Sequence, residues 1–137
     1  MTDHEGALQK AMLAALKADA AVDALLGGRV WDQAPEGGGL PHLLIGRCES
    51  RPVAADGCGV EQRLTLTGVS DFAGSEEAKA IAAAVRACLH DRRLEADGVR
   101  TVSLRVAYAD VFRAGDGRRT WAVVRLRAVT EEVASSG

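Results

Sequence analysis

Residues 99–130 read VRTVSLRVAYADVFRAGDGRRTWAVVRLRAVT, two runs of alternating apolar residues on either side of Asp116-Gly117. In the first run Val102, Leu104, Val106 and Tyr108 recur at every second position, and in the second Ala122, Val124, Leu126 and Ala128 do the same. A period of two places each set on one side of an extended chain, the mark of a half-buried strand. Asp-Gly supplies the positive φ that a tight hairpin needs. The spacing therefore predicts two long antiparallel strands, Val99 to Arg113 and Thr120 to Thr130.

A second pair of strands precedes them. His42 to Glu49 starts directly after Pro41, which cannot serve as a central ladder donor but can open a strand. Glu61 to Phe72 alternates Leu64 and Leu66 with Thr65 and Thr67, and SRPVAADGCG, residues 50–59, is a turn-rich connection. Between the pairs, Ser75 with Glu76 and Glu77 opens a helix that runs to Leu89, since a hydroxyl can accept an orphan N–H and acids favour the positive end of the dipole. Its apolar face is Ala78, Ile81, Ala82, Val85 and Leu89, and Ala80, Ala83, Ala84 and Ala87 would let a neighbour approach closely.

Toward the N-terminus, Leu8, Ala11, Met12, Ala15 and Leu16 form one face of a helix from Glu5 to Ala18. Asp19 caps a second, short helix, Ala20 to Leu26, with Val22, Leu25 and Leu26 inward and Gly27-Gly28 where a left-handed residue ends it. Val30-Trp31 is a short extended segment, and a loop rich in Gly and Pro follows as far as Pro41. The element order is α-α-β-β-α-β-β. This order predicts an α+β fold with a mostly antiparallel sheet of about four strands and the helices packed on one face. A single domain over 1–131 and a flexible tail over 132–137 complete the reading.

At 137 residues the chain is one ordinary domain, able to bury roughly 65 to 70% of its unfolded surface. Apolar residues make up 47% but aromatics only 4%, so the core rests on Ala, Val and Leu. A net charge of −2 provides no global cationic field for nucleic acid or an anionic membrane. Arg outnumbers Lys by fourteen to three, a bias suited to bidentate contacts across interfaces and equally produced by high genomic GC content. Cys48, Cys58 and Cys88 are an odd count without a CxxC, which points to a reducing compartment. The start MTDHEGALQK has no signal-like pattern and no apolar run approaches a membrane span, so the chain is expected to be made and kept in the cytoplasm, or to leave it inside something larger.

Catalytic raw material is thin. His4 falls in an expected disordered start, His42 opens a strand, and His90 ends a helix beside Asp91, where a dipole partner explains it more simply than a catalytic pair. His42, Cys48 and Cys58 match no metal-site spacing, and the cysteines read as small buried hydrophobes. Gly57-x-Gly59 precedes a strand rather than opening a helix, the wrong context for phosphate. Arg92-Arg93 and Arg118-Arg119 lack the interleaved aromatics of a nucleic-acid site. No enzyme, cofactor or metal is therefore expected. Trp31, Asp32 and Pro35 are harder to dismiss, because a surface Trp beside three consecutive Gly costs chain entropy unless something outside the domain orders the loop; Trp31 covering the core is the competing reading.

The run LQKAMLAALKADAAVDALLGGRVWDQAPEGGGLPHLLIG, residues 8–46, resembles the start of the tail-completion, or tail-terminator, proteins of long-tailed bacteriophages and of phage-derived gene transfer agents. These begin with an L-x-x-A-L helix, an acid-Ala-x-Val-x-x-Leu helical turn, Gly-Arg-[Val/Ile]-aromatic-Asp, a Pro, and Pro-aromatic-x-x-x-Gly. EAKAIAAAVRACL, residues 77–89, and Phe112-Arg113 leading through Asp116-Gly117 continue the likeness to about residue 130. Departures are His42, where the family has an aromatic, and the Gly37 to Gly39 insert.

The resemblance implies a ring-forming structural protein, a homo-hexamer, at the head-proximal end of the tail. There it would stop polymerisation of the major tail tube protein and offer a surface to the head-tail connector or stopper. It would assemble in the bacterial cytoplasm and end in a phage-like or gene transfer agent particle. On that footing Trp31, Asp32 and Pro35 are expected at a subunit junction, and Arg113, Arg118 and Arg119 at the hairpin tip against the tube protein or a neighbour. DNA passes such a lumen without specific binding, so its lining should avoid strong positive charge; Glu49, Glu61 and Asp116 are the candidate lining residues. A head-completion or stopper protein is the alternative within the same biology. A small cytoplasmic ligand-binding domain or enzyme is the alternative from another class.

Overall fold

A computed structural model describes residues 2–53 and 59–133. Helices α1 (His4–Ala18) and α2 (Ala20–Leu26) lead into a two-residue strand β1 (Val30–Trp31), then β2 (His42–Pro52) and β3 (Gly59–Ser70). Helix α3 (Glu76–Leu89), a second two-residue strand β4 (Glu95–Ala96), β5 (Val99–Arg113) and β6 (Thr120–Glu132) complete the chain. The fold is mixed α+β. Among the described residues its sheet has six strands in the order β1-β2-β3-β6-β5-β4, antiparallel throughout except where β1 pairs in parallel with β2. The four long strands are those the alternation predicts; β1 and β4 are too short to carry a periodic signal.

Local chemistry accounts for most boundaries. Asp19 accepts from the Val22 amide at 3.0 Å, and Gly27 closes α2 in the left-handed region at φ 56°. Between β5 and β6, Gly117 supplies the positive φ of 71° that the turn requires. Ser75 differs from expectation. Its hydroxyl makes no capping bond, because its own backbone is already helical at φ −97° and ψ −2°; the first turn is fixed instead through Glu77, which accepts from Ser70 Oγ at 2.8 Å.

The core lies between the helices and the inward residues of the four long strands. Leu8, Met12, Leu16, Val22, Leu26, Ile81, Val85 and Leu89 meet Leu43, Ile45, Leu64, Leu66, Leu104, Val124, Leu126 and Ala128. Small residues set the spacing: a Cβ on Gly68 of β3 would stand 2.8 Å from Ile81 Cγ2, so α3 rests on the strand at its closest possible approach.

Several positions depart from the alternating pattern. β5 shifts register between Thr101 and Ser103 and again between Val106 and Tyr108. Each shift flips the residues that follow, so Val102 and Tyr108 are exposed while Leu104 is buried. A similar irregularity between Ile45 and Cys48 of β2 leaves Cys48 exposed rather than a small buried hydrophobe. β6 continues through Glu132, two residues past Thr130, because ladders on both sides support it: Glu131 pairs with Gly59 and with Arg100.

His4 is not part of a loose start. It is the first residue of α1, buried, with Nδ1 2.8 Å from Thr130 Oγ1. Buried Gln62 donates to the same oxygen at 3.0 Å, so a short polar chain ties the N-terminus to β3 and β6. Gly57 and Cys58 lie outside the described residues, as do positions 134–137.

Candidate functional site

The same strands that bury one side in the core present a second face of different composition. Cross-strand register places its residues in rows. At the end nearest the β5–β6 turn, His42, Val69, Trp121 and Phe112 run across β2, β3, β6 and β5, and Trp31 of β1, in register with Leu44, reaches His42 from the edge. Trp31 and His42 have ring centroids 5.7 Å apart, and Phe112 and Trp121 6.0 Å apart, so this row is an aromatic band. Further along come Thr65, Arg125 and Tyr108, with the Arg125 guanidinium 5.1 Å above the Tyr108 ring. The next row holds Glu49, Arg63, Arg127 and Arg105, and the one after it Arg51, Glu61 and Val129.

An open cleft of about 460 Å³ lies over the middle rows, bounded by Arg47, Glu49, Arg63, Tyr108, Arg125 and Arg127. Charge here is unbalanced. Arg127 and Arg51 bind Glu61 at 2.5 and 2.9 Å, Arg63 reaches it at 3.8 Å, and Arg47 binds Glu49 at 2.8 Å. Five guanidiniums thus share two carboxylates if Arg125, which has no ion pair among the described residues, is counted. The hydrogen bond from Arg127, followed by that from Arg51, holds the Glu61 carboxyl below the usual carboxylate range.

The Gly-rich loop is ordered from within the chain. Gly38 seats against the Trp31 ring so closely that a Cβ would come within 2.7 Å of it, and Arg29 Nε donates to the Pro41 carbonyl at 2.7 Å. Gly38 N also donates to the Pro35 carbonyl at 3.0 Å. The premise that only an outside partner could order this loop therefore does not hold. Trp31 is half-buried under it, while Asp32 and Pro35 are exposed.

The hairpin tip lies beside this loop. Pro35, His42 and Arg119 line one shallow groove of about 400 Å³, and Asp116, Arg118 and Arg119 line a neighbouring one with Asp71. Asp116 Oδ1 accepts from the Arg118 and Arg119 amides at 2.9 and 3.4 Å, and these bonds, the first foremost, lower its pKa. Arg113 Nη1 donates to the Gly117 carbonyl at 3.2 Å. The structure thus brings Trp31, Asp32 and Pro35 to the same end as Arg113, Arg118 and Arg119.

It does not bring the three acids together. Glu49 and Glu61 lie among arginines in the middle and far rows. Asp116 is beyond the opposite end of β3, about nine strand residues or roughly 30 Å from Glu61. Among the described residues no group of three or more His, Cys, Asp or Glu is placed to hold a metal ion. His90 Nδ1 accepts from the Val106 amide at 3.0 Å, and its Nε2 is 3.5 Å from Asp91.

Sequence reasoning passed over the cluster of Arg47, Arg63, Arg125, Arg127, Tyr108 and Trp121. Part of it was visible, since Arg125 and Arg127 occupy the alternate positions between Val124, Leu126 and Ala128. What the alternation alone does not contain is the register that puts Arg63 opposite Arg127 and Arg125 opposite Tyr108.

Residues 10–131 match the family described as tail completion protein gp17. The chain belongs to this tail completion family. A solved chain in the virion of a native gene transfer agent particle is 29% identical and superposes with a TM-score of 0.86, covering 96% of this chain and 99% of that one. A second solved structure, 17% identical over 96% of this chain and 94% of its own with a TM-score of 0.53, shares the fold alone. No curated protein matches the sequence. The match takes in the second part of α1, every element from α2 to β5, nearly all of β6, the aromatic band and the arginine cleft.

Proposed function

We propose that this tail completion protein is a structural component of a phage-like or gene transfer agent tail, working as a terminator. Copies close into a ring, a hexamer, on the head-proximal end of the tube, stop the tube protein from adding further and offer the opposite surface to the head-tail connector. The observation that carries this reading is the near full-length correspondence with a chain of a gene transfer agent virion, to which almost nothing is added or lost. The ring would assemble in the bacterial cytoplasm and leave it within the particle.

The mechanism needs surfaces rather than catalysis. Head-to-tail contacts that close by rotation satisfy every copy, so a tube end can be covered without presenting a new site for growth. Trp31, Asp32 and Pro35 would lie at the subunit junction, and Arg113, Arg118 and Arg119 at the tube or the neighbouring copy. Their convergence at one end of the sheet supports a shared role in one contact. Glu49, Glu61 and Asp116 as lumen lining receive less support, since Glu61 is already neutralised by arginines.

Negative-stain microscopy of the purified chain, alone and mixed with the tube protein of its own operon, tests this reading. Rings capping one end of each tube are the expected result; bare tube ends beside monomeric protein would refute it. A chain that binds the portal adaptor and ignores the tube would instead be a stopper. Trp31→Ala is expected to weaken ring closure more than folding, read as a loss of rings by light scattering larger than the drop in monomer stability that unseating Gly38 causes.

A further inference from the structure

The chain's charges are segregated in a way its net value conceals. The four long strands carry eight arginines and five carboxylates, whereas the remaining residues carry nine Lys and Arg against fourteen acids. Within the acidic part, residues 19–36 hold Asp19, Asp23, Asp32 and Glu36 against Arg29 alone. Asp23, Asp32 and Glu36 are exposed and have no ion pair among the described residues.

The positive part is equally unfinished. Among the described residues, Arg125 in the cleft has the face of Tyr108 as its one partner, and the other guanidiniums compete for Glu49 and Glu61. Tyr108 lines the cleft, and Phe112 and Trp121 stand two rows nearer the turn, past Val123 and Asp110; at 48%, 39% and 39% exposure they are three of the five large apolar side chains the described residues leave in solvent. Tyr stacked with Arg in the cleft, and Trp on the same face of the sheet, have the composition of a protein-docking hot spot, and covering aromatic rings strengthens adjacent charge pairs.

We propose that this arginine and aromatic cleft docks the acidic 19–36 segment of a second copy of the chain. The proposal rests on the ring reading above and names the two surfaces that would form its repeating contact. Two observations select this occupant. The donor and acceptor surfaces are distinct parts of the same molecule with opposite surplus charge, which is what a head-to-tail contact requires. The other anion a terminator meets is the DNA duplex, and a lumen that held phosphate through a row of guanidiniums would impede its passage. Covering those guanidiniums with a neighbour's carboxylates removes that obstacle.

Charge exchange provides the test. Sedimentation of the full chain, in solution and bound to tube ends, is compared for wild type, Arg47→Glu with Arg125→Glu, Asp32→Arg with Glu36→Arg, and an equimolar mixture of the two doubles. Each double is expected to raise the concentration needed for association roughly tenfold or more, and the mixture to recover most of the loss, since each swapped cleft can meet a swapped segment. Circular dichroism melts that match wild type exclude misfolding, because all four side chains are exposed. Association of the cleft double at the wild-type concentration overturns the proposal while leaving the ring reading intact, and so does a loss that the mixture does not recover. Loss of retention on duplex DNA without change in association would assign the cleft to phosphate. Wild-type protein that stays monomeric both in solution and at tube ends would remove the ring reading and this proposal together.

Discussion

The inward and outward faces of the sheet are built from the same strands, one residue apart, yet they are completed differently. Inward, Leu64, Leu66, Val124, Leu126 and Ala128 are buried by the helices, and even the polar members, Gln62, Thr130 and His4, satisfy one another. None of the buried side-chain polar atoms among the described residues lacks a partner. Outward, the next residues along are Arg63, Arg125, Arg127, Tyr108 and Trp121, with more guanidiniums than carboxylates and aromatic rings in solvent. The difference teaches that the chain satisfies one face from within and leaves the other with surplus charge and exposed rings, which is what the proposed association would cover.

The sharpest way to break this contrast is to truncate one residue on each face of β6. Leu126→Ala should cost about 2–5 kcal/mol in a denaturant titration, through lost burial and a cavity that the helices cannot refill. Arg125→Ala, one residue away, should stay within about 0.5 kcal/mol of wild type. Comparable losses at both positions would mean that the outward face also belongs to the folding core.

A smaller effect sharpens the picture of the inward side. Gly68→Ala places a Cβ 2.8 Å from Ile81 Cγ2 and should destabilise by about 1–3 kcal/mol. Combined with Ile81→Ala, the two losses should not add, because the second change removes the atom that the first one strikes. Strict additivity would show that α3 has room to shift away from β3.

The smallest expected effect concerns Glu61. Its carboxyl is held below the usual range by Arg127 and Arg51, so its stabilising contribution is complete above the unfolded value and is lost as pH falls through the folded one. Glu61→Gln should therefore flatten the acid side of the stability profile slightly and leave the neutral side shaped as before. An unaltered acid limb would mean that these exposed pairs contribute nothing measurable.

The legibility of the sequence followed the same division. Where a residue's surroundings are local or repeat with a period, the reading and the structure mostly agree, as for Asp19 and Gly27 at α2, Leu64 and Leu66 inward and Gly117 at the turn, with the uncapped Ser75 an exception. Bulges escaped it, because an extra residue in β5 leaves Val102 and Tyr108 as apolar as a buried pair would be. His4 escaped it as well, since its partner Thr130 is 126 residues away. At the candidate site, Trp31 and Pro35 stand out in the sequence while Arg119 follows only from the family resemblance, and their meeting at one end of the sheet depends on how the loop folds over Trp31. The arginine cleft needed cross-strand register, which no single strand encodes.

Both tryptophans of the chain, Trp31 and Trp121, lie on the outward face and so report on whether it is covered. Quenching of their fluorescence by acrylamide, followed as protein concentration is raised alongside the mass from light scattering, is the most direct measurement. If copies finish this face, quenching should fall in step with ring formation, and a Trp31→Phe variant should show the same fall from Trp121 alone. Rings that form while both indoles remain as accessible as in the monomer would contradict it.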